Sequence, residues 1–134
     1  GICLGFQQLN TFFNGKLVQH IWWDHGYSNP RSELAHQVYE VTGFNKSENI
    51  WKVEELAPKH KNAIWVNSLH HQGVDLEGMS EEFIPLLSPD GFVEAFEHRT
   101  LPISGCQFHP EELMNSYANK MIKKLLKIYD LQKV

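Results

Sequence analysis

An α/β domain is what this sequence predicts, and three observations predict it. An amphipathic helical stripe lies at each end, with short apolar strands between them. The first helix begins at a Gly-x-Cys-x-Gly turn, Gly1-Ile2-Cys3-Leu4-Gly5, a turn that joins a strand to a helix. The length of 134 residues and a hydrophobic share of 42% suit one packed core, not two.

Each element has its own reason. Over residues 4–13, Phe6, Leu9, Phe12 and Phe13 make an apolar helical stripe, and Asn14-Gly15 supplies the stop. Residues 16–21 read as a short extended segment, and 22–33 as a loop rich in Trp, Asp, Gly, Asn and Pro, with Trp22-Trp23 in core or lid packing. Period-two alternation over 35–41 predicts a half-buried strand. The stretch 43–62 is polar, with room for one short helix near 52–56. A strand over 63–67 delivers Ser68-Leu69-His70-His71-Gln72 at its end. Two more, 83–87 and 93–98, flank Ser88-Pro89-Asp90-Gly91, where proline pre-sets a turn and glycine tolerates positive φ, so a hairpin is expected. The last strand, 103–108, runs into His109-Pro110-Glu111. From 111 to about 131 one amphipathic helix places Met114, Ala118, Met121, Ile122, Leu125 and Tyr129 on its buried face, with Lys120, Lys123, Lys124 and Lys127 on the solvated one.

Composition excludes some functions. A formal charge of -4, with the lysines explained by a helix face, argues against a nucleic-acid surface, which needs clustered Lys and Arg. No apolar run reaches the roughly 18 residues of a membrane span. Two cysteines, Cys3 and Cys106, fit a reducing, cytoplasmic setting better than a disulfide scaffold; Cys106 reads as a small buried hydrophobe in its strand. The histidines are numerous, yet His20, His25, His36, His70 and His71 lack zinc-site spacing with cysteine, so neither a metal nor another cofactor is expected.

The chemistry gathers at two places. A thiolate attacks and a thiol does not, and a cysteine at a helix N-terminus has its charged form favoured by the helix dipole. At Cys3 the flanking glycines would permit a sharp turn that exposes the sulfur, and the Leu4 N–H would be left to donate to a developing oxyanion. The plainer alternative is a buried cysteine in a βα turn. His109 would stand at a strand end as the base, with Glu111 selecting its tautomer and stabilising the imidazolium. Singly, each is equally a loop histidine and a first-turn carboxylate; together with Cys3 they make a nucleophile, a base and its orienter.

Gly1-Ile2-Cys3-Leu4-Gly5-Phe6-Gln7 with Gln107-Phe108-His109-Pro110-Glu111 resembles the class I glutamine amidotransferase superfamily and its Cys-His-Glu triad. Within it, Val66-Asn67-Ser68-Leu69-His70-His71-Gln72 and Asp90-Gly91-Phe92-Val93-Glu94-Ala95 resemble the γ-glutamyl-γ-aminobutyrate hydrolase branch, the C26 peptidases. The likeness runs from residue 1 to 111. Two positions depart from it: the amidotransferases often have histidine at Phe6, and the hydrolase branch often has arginine at Leu4.

The resemblance implies a three-layer α/β/α, flavodoxin-like fold, of which residues 1–134 form a partial domain beginning at the nucleophile turn. It implies hydrolysis of a small γ-glutamyl amide through a γ-glutamyl thioester. Cys3 is then the nucleophile, His109 the general base and acid, Glu111 the orienter, and the Leu4 amide half of the oxyanion hole. Gln7 takes the position that contacts the glutamyl group in the family, the alternative being a solvated helix glutamine. Ser68, His70, His71 and Gln72, at a strand end, suit substrate contacts. The family has a half-domain before the nucleophile, with a glycine loop giving a second oxyanion donor. These residues are therefore expected to be the C-terminal half of an enzyme, from a fragment, a truncated gene model or a split chain, and inactive alone. The missing N-terminal half or a homo-oligomer would cover the open sheet edge. Two other functions stay open: a glutaminase domain passing ammonia to a synthase partner, and a truncated, non-catalytic homologue.

Overall fold

The computed structural model describes residues 1–21, 34–40, 63–88, 91–113 and 116–128. The expected loop over 22–33, Trp22-Trp23, the polar stretch 43–62 with its short helix, and the Pro89-Asp90 turn lie outside those residues.

Among the described residues the elements are α1 (Leu4–Phe12), β1 (His36–Glu40), β2 (Ala63–Val66), β3 (Val74–Asp75), β4 (Phe83–Ser88), β5 (Phe92–Val93), β6 (Ala95–His98), β7 (Ser104–Cys106), a 3-10 turn (Pro110–Glu112) and α2 (Ser116–Ile128). Five strands form one sheet in the order β2-β1-β4-β6-β7, each pair antiparallel. The chain before α1 adds a parallel seam beyond β7. Gly1 N donates to Ser104 O at 2.9 Å, Cys106 N to Gly1 O at 3.0 Å, and Cys3 N to Cys106 O at 2.9 Å. The turn at Cys3 therefore joins a segment bridged to β7 through Ile2 to the start of α1.

Strands 83–87 and 93–98 do pair, from Phe83↔His98 to Leu87↔Ala95, with an irregularity between Pro85 and Leu87. Proline has no N–H for the ladder, so a break beside Pro85 is where it can be tolerated in an inner strand. The second of these strands is not continuous. It divides at Glu94: Phe92-Val93 leaves to pair with Val74-Asp75 in a separate two-stranded sheet, while 95–98 stays in the main one. Gly91 has φ 95, the left-handed backbone expected of it. The extended segment 16–21 runs along the turn after β2, with Val18 and Gly73 exchanging both backbone bonds and Ile21 N donating to His71 O at 2.7 Å.

The core forms where α1 lies on β4 and β6. Phe6 stacks on Phe96 with ring centroids 4.3 Å apart, Phe96 on Phe83 at 3.9 Å, and Phe13 meets Phe83 edge-on at 5.2 Å. Val74 and Val93 complete the buried cluster. Each such ring contributes roughly 1.5–3 kcal/mol by burial. That explains the departure at position 6: Phe6 is core, with no exposed surface.

The helix stripe needs one correction. Phe12 is 78% exposed, and the buried face of α1 runs through Phe6, Gln7 and Asn10 instead. Asn10 replaces an apolar contact with three hydrogen bonds: its amide donates to Lys16 O and Gly78 O, and its oxygen accepts from Ser80 N at 2.7 Å. A fully bonded polar side chain can occupy a core position that hydropathy assigns to solvent. The C-terminal helix is also corrected. Glu111 lies in a 3-10 turn, Pro110–Glu112, the helix is described over Ser116–Ile128, and Met114 and Tyr129 lie outside the described residues. Ala118 and Met121 are buried, Lys120 and Lys123 exposed and Lys124 half-buried. No helix among the described residues is long and apolar enough to cross a membrane.

Candidate active site

Cys3 occupies the N-cap of α1 with φ 49 and ψ -103. A non-glycine residue with positive φ is strained, at a cost of order 1–3 kcal/mol, and persists only where its surroundings impose it. The seam to β7 imposes it from one side and α1 from the other. The tightness is visible at Gly1, where a Cβ would lie 2.7 Å from the Gly5 carbonyl carbon and 2.8 Å from Leu9 Cδ1. Gly5 itself is not demanded by the turn, since a Cβ there would meet nothing within 4 Å. The expectation that both glycines permit the turn thus holds for Gly1 alone.

The Cys3 side chain caps no helical N–H. Gly5 N is taken by Ile2 O and Gln7 N by Cys3 O, at 2.9 and 3.1 Å. The Leu4 N–H, at the first helical position, precedes the first intrahelical bond.

Beyond β7 the chain bends at Gln107 and Phe108, both buried, and then reaches His109. Gln107 Nε2 lies 3.6 Å from Cys3 Sγ. The elbow and the strand that leads to His109 therefore meet at one end of the sheet. His109 Nδ1 and Glu111 Oε1 are 2.6 Å apart, and Glu112 Oε2 is 4.0 Å from the same nitrogen. A carboxylate only accepts, so the Nδ1 proton belongs on the histidine and Nε2 is left as the basic nitrogen. Pro110 begins the 3-10 turn that brings Glu111 back onto the ring.

Asn67 is visible in the sequence only as part of a motif, with no role of its own. In the structure it clamps the backbone of His109, donating to His109 O at 2.9 Å and accepting from His109 N at 2.8 Å. A polar residue directly after an apolar strand is its only signal.

The expected substrate residues separate. Gln7 is buried, not a solvated helix glutamine, and its amide donates to Gln72 O at 2.9 Å and Gln107 Oε1 at 3.1 Å. His70 Nδ1 lies 2.7 Å from that same Gln72 carbonyl, while its Nε2 faces Glu94 Oε1 at 3.8 Å. His36 Nε2 faces the same carboxylate oxygen, also at 3.8 Å. Glu94, at the corner between β5 and β6, is thereby buried between two imidazoles, a pairing that sequence spacing could not reveal. His71 is exposed, Ser68 is buried and the Gln72 side chain donates to Gln19 Oε1 at 2.7 Å. Gln107 is thus in direct contact with Cys3, the Gln7 side chain joins it through Gln107, Gln72 through Gln7, and His70 through Gln72.

Neither cysteine is in a disulfide. Cys106 is buried, its Sγ 3.4 Å from Phe108 O, and burial pushes its thiol well above the ordinary value of 9.0. Among the described residues one group has ligand atoms close enough for a cation: His109, Glu111 and Glu112, all within 4.8 Å of one another. The short His109–Glu111 contact gives two of those groups a hydrogen-bonding use without an ion.

Comparison with known proteins gives the family and the fold. The model of the Peptidase C26 family matches residues 1–111, and the chain belongs to that family, within the class I glutamine amidotransferase superfamily. It is 36% identical over 126 residues to a Schizosaccharomyces pombe protein described as "Putative glutamine amidotransferase", covering 90% of this chain and 46% of the relative. To a glutamine-hydrolyzing GMP synthase subunit of Methanocaldococcus jannaschii it is 30% identical, covering 96% of this chain and 58% of that one. The crystal structure of a Thermoplasma acidophilum protein, described as a subunit of a "putative gmp synthase", superimposes with a TM-score of 0.69 at 24% identity, covering all of this chain and 60% of the other. That likeness establishes the α/β fold of class I glutamine amidotransferases. The chain spans about half the length of these relatives.

Proposed function

We propose that this chain carries the catalytic elbow and the histidine–glutamate pair of a cysteine-dependent hydrolase acting on the γ-glutamyl amide bond of a small substrate. One observation carries the reading: a strained cysteine at a helix N-terminus, held against the strand that leads to a histidine already paired with glutamate. A structural cysteine has no need of φ 49, whereas a nucleophile that must stand clear of the backbone does.

The reaction follows from the groups present. His109 Nε2 takes the thiol proton and Cys3 Sγ bonds to the γ-carbonyl carbon, whose oxygen becomes an oxyanion facing the Leu4 N–H. Collapse of that intermediate breaks the carbon–nitrogen bond. The imidazolium gives its proton to the departing amine and a γ-glutamyl thioester remains. A water molecule, deprotonated by the same nitrogen, attacks the thioester; the sulfur leaves with the proton and glutamate is released. Glu111 keeps the Nδ1 proton in place and stabilises the positive ring between the two half-reactions. No metal or other cofactor enters these steps.

A second reading is favoured by the relatives. The Bacillus subtilis aminodeoxychorismate/anthranilate synthase component 2, 28% identical over 130 residues, is a component of a synthase. On that reading the amide is glutamine's own, and the released ammonia passes to a partner subunit. The test is hydrolysis of glutamine and of γ-glutamyl amides by the full-length protein and its Cys3→Ala variant. Amine release that needs no partner and vanishes in the variant supports the hydrolase. Release of ammonia from glutamine that rises on adding a synthase subunit supports the second reading. Turnover undiminished by Cys3→Ala contradicts both.

A further inference from the structure

We propose that Gln107 is a positioning residue for the Cys3 sulfur: its amide, oriented by Gln7, donates a hydrogen bond that favours the thiolate over the thiol. The inference rests on the reading of Cys3 as nucleophile and adds a residue to which that reading gives no role.

The orientation of both amides is fixed by a group that cannot be turned round. The Gln72 carbonyl only accepts, so the end of Gln7 lying 2.9 Å from it is the NH2 end. The same NH2 lies 3.1 Å from the Gln107 side chain, which must present its oxygen there, because two amide NH2 groups would repel. The other end of Gln107, its NH2, is then the end 3.6 Å from Cys3 Sγ. Three links, anchored at a backbone carbonyl, aim a donor at the sulfur.

Surroundings keep it there. Gln107 is 1% exposed, and its backbone N–H is bonded to Glu94 O at 2.8 Å. A buried amide held at its far end cannot rotate its oxygen toward the sulfur without breaking the bond from Gln7. A donor facing sulfur stabilises the charged acceptor more than the neutral thiol, which lowers the pKa of the thiol. The α1 N-terminus works in the same direction from the other side. The titratable and charged groups around this network are His109 with Glu111 and Glu112 beyond β7, Glu94 with His36 and His70 at the β5–β6 corner, the Cys106 thiol on β7, and the Gly1 amino group, which donates to Ser104 O.

The test is the pH dependence of Cys3 alkylation by iodoacetamide in the full-length protein, read by peptide mass spectrometry. Gln107→Glu keeps the shape and the acceptor for Gln7 but replaces the donor with an anion; Gln107→Leu removes both functions. The reaction midpoint is expected to rise by about one pH unit in each, so that alkylation below the midpoint slows about tenfold. Gln7→Met, which frees Gln107 to turn, is expected to give a smaller rise in the same direction. Circular dichroism checks folding, and should Gln107→Leu not fold, the isosteric Gln107→Glu decides. A Gln107→Glu midpoint equal to that of the wild type overturns the proposal. The two inferences fail separately: a shifted midpoint in a protein that hydrolyses no γ-glutamyl amide sinks the proposed function and leaves the role of Gln107 standing.

Discussion

Gly105→Ala is a single methyl group placed where the elbow meets the sheet. Its Cβ would lie 2.9 Å from the Gly1 carbonyl oxygen, 3.2 Å from Phe6 Cδ2 and 3.3 Å from Phe96 Cε1. Neither ring can yield cheaply, because Phe6 and Phe96 are fully buried and stacked on each other. The seam must move instead. Restoring an ordinary contact of 3.4 Å from 2.9 Å asks for a shift of about 0.5 Å in the strand that ends at Cys3. Overpacking of this kind costs roughly 1–3 kcal/mol, a fall in Tm of several degrees for a domain of this size. Because a misplacement of about 1 Å can cost 10²-fold in rate, half of that corresponds to about tenfold, if the loss scales with distance. The assays are urea unfolding and the rate of Cys3 alkylation at fixed pH. A variant within 0.5 kcal/mol of the wild type, with Cys3 equally reactive, would refute the claim that this seam sets the elbow.

Other variants address the remaining parts of the site. Asn67→Ala removes both bonds that hold the His109 backbone and is expected to cost about 2–4 kcal/mol and to lower kcat more than it raises KM; an unchanged kcat contradicts the clamp. Glu111→Gln is expected to slow hydrolysis less than Cys3→Ala does, because the imidazole can still act though poorly held, and an equal loss would deny Glu111 a supporting role. For Cys106 the folded thiol pKa lies above the unfolded one, so the unfolded chain loses its proton first. Its contribution is complete below the unfolded pKa and fades as pH rises above it toward the folded value. Urea midpoints should therefore fall with alkaline pH less steeply in Cys106→Ala than in wild type, and parallel slopes would contradict that sign.

Most of the architecture was legible in the sequence because it rests on periodicity. The strands at 36–40, 63–66, 83–88 and 104–106 stand where alternation and apolar runs put them, within a residue or two at most ends. What escaped did so for physical reasons. The two-residue strands β3 and β5 are too short to show a period, so the second sheet and the corner at Glu94 left no pattern. Asn10 lies in the core because three backbone partners converge on it from residues 16, 78 and 80, and hydropathy carries no record of partners. Phe12 went the other way, a large apolar ring left outside the buried face of α1. The candidate site divides similarly. Cys3, His109 and Glu111 were visible as motifs, because a strained elbow and a histidine–carboxylate pair are local in sequence. The bonds of Gln107 to Cys3 and Gln7, and of Asn67 to His109, span 104, 100 and 42 positions and exist only once the sheet has formed.

The most direct measurement is to treat the full-length protein with an electrophile that mimics a γ-glutamyl amide and map the adduct by peptide mass. One adduct, on Cys3, formed in step with loss of amide hydrolysis and leaving Cys106 unmodified, is the expected result. Modification of Cys106 with Cys3 intact, or full hydrolysis by a protein whose Cys3 is already blocked, would contradict it.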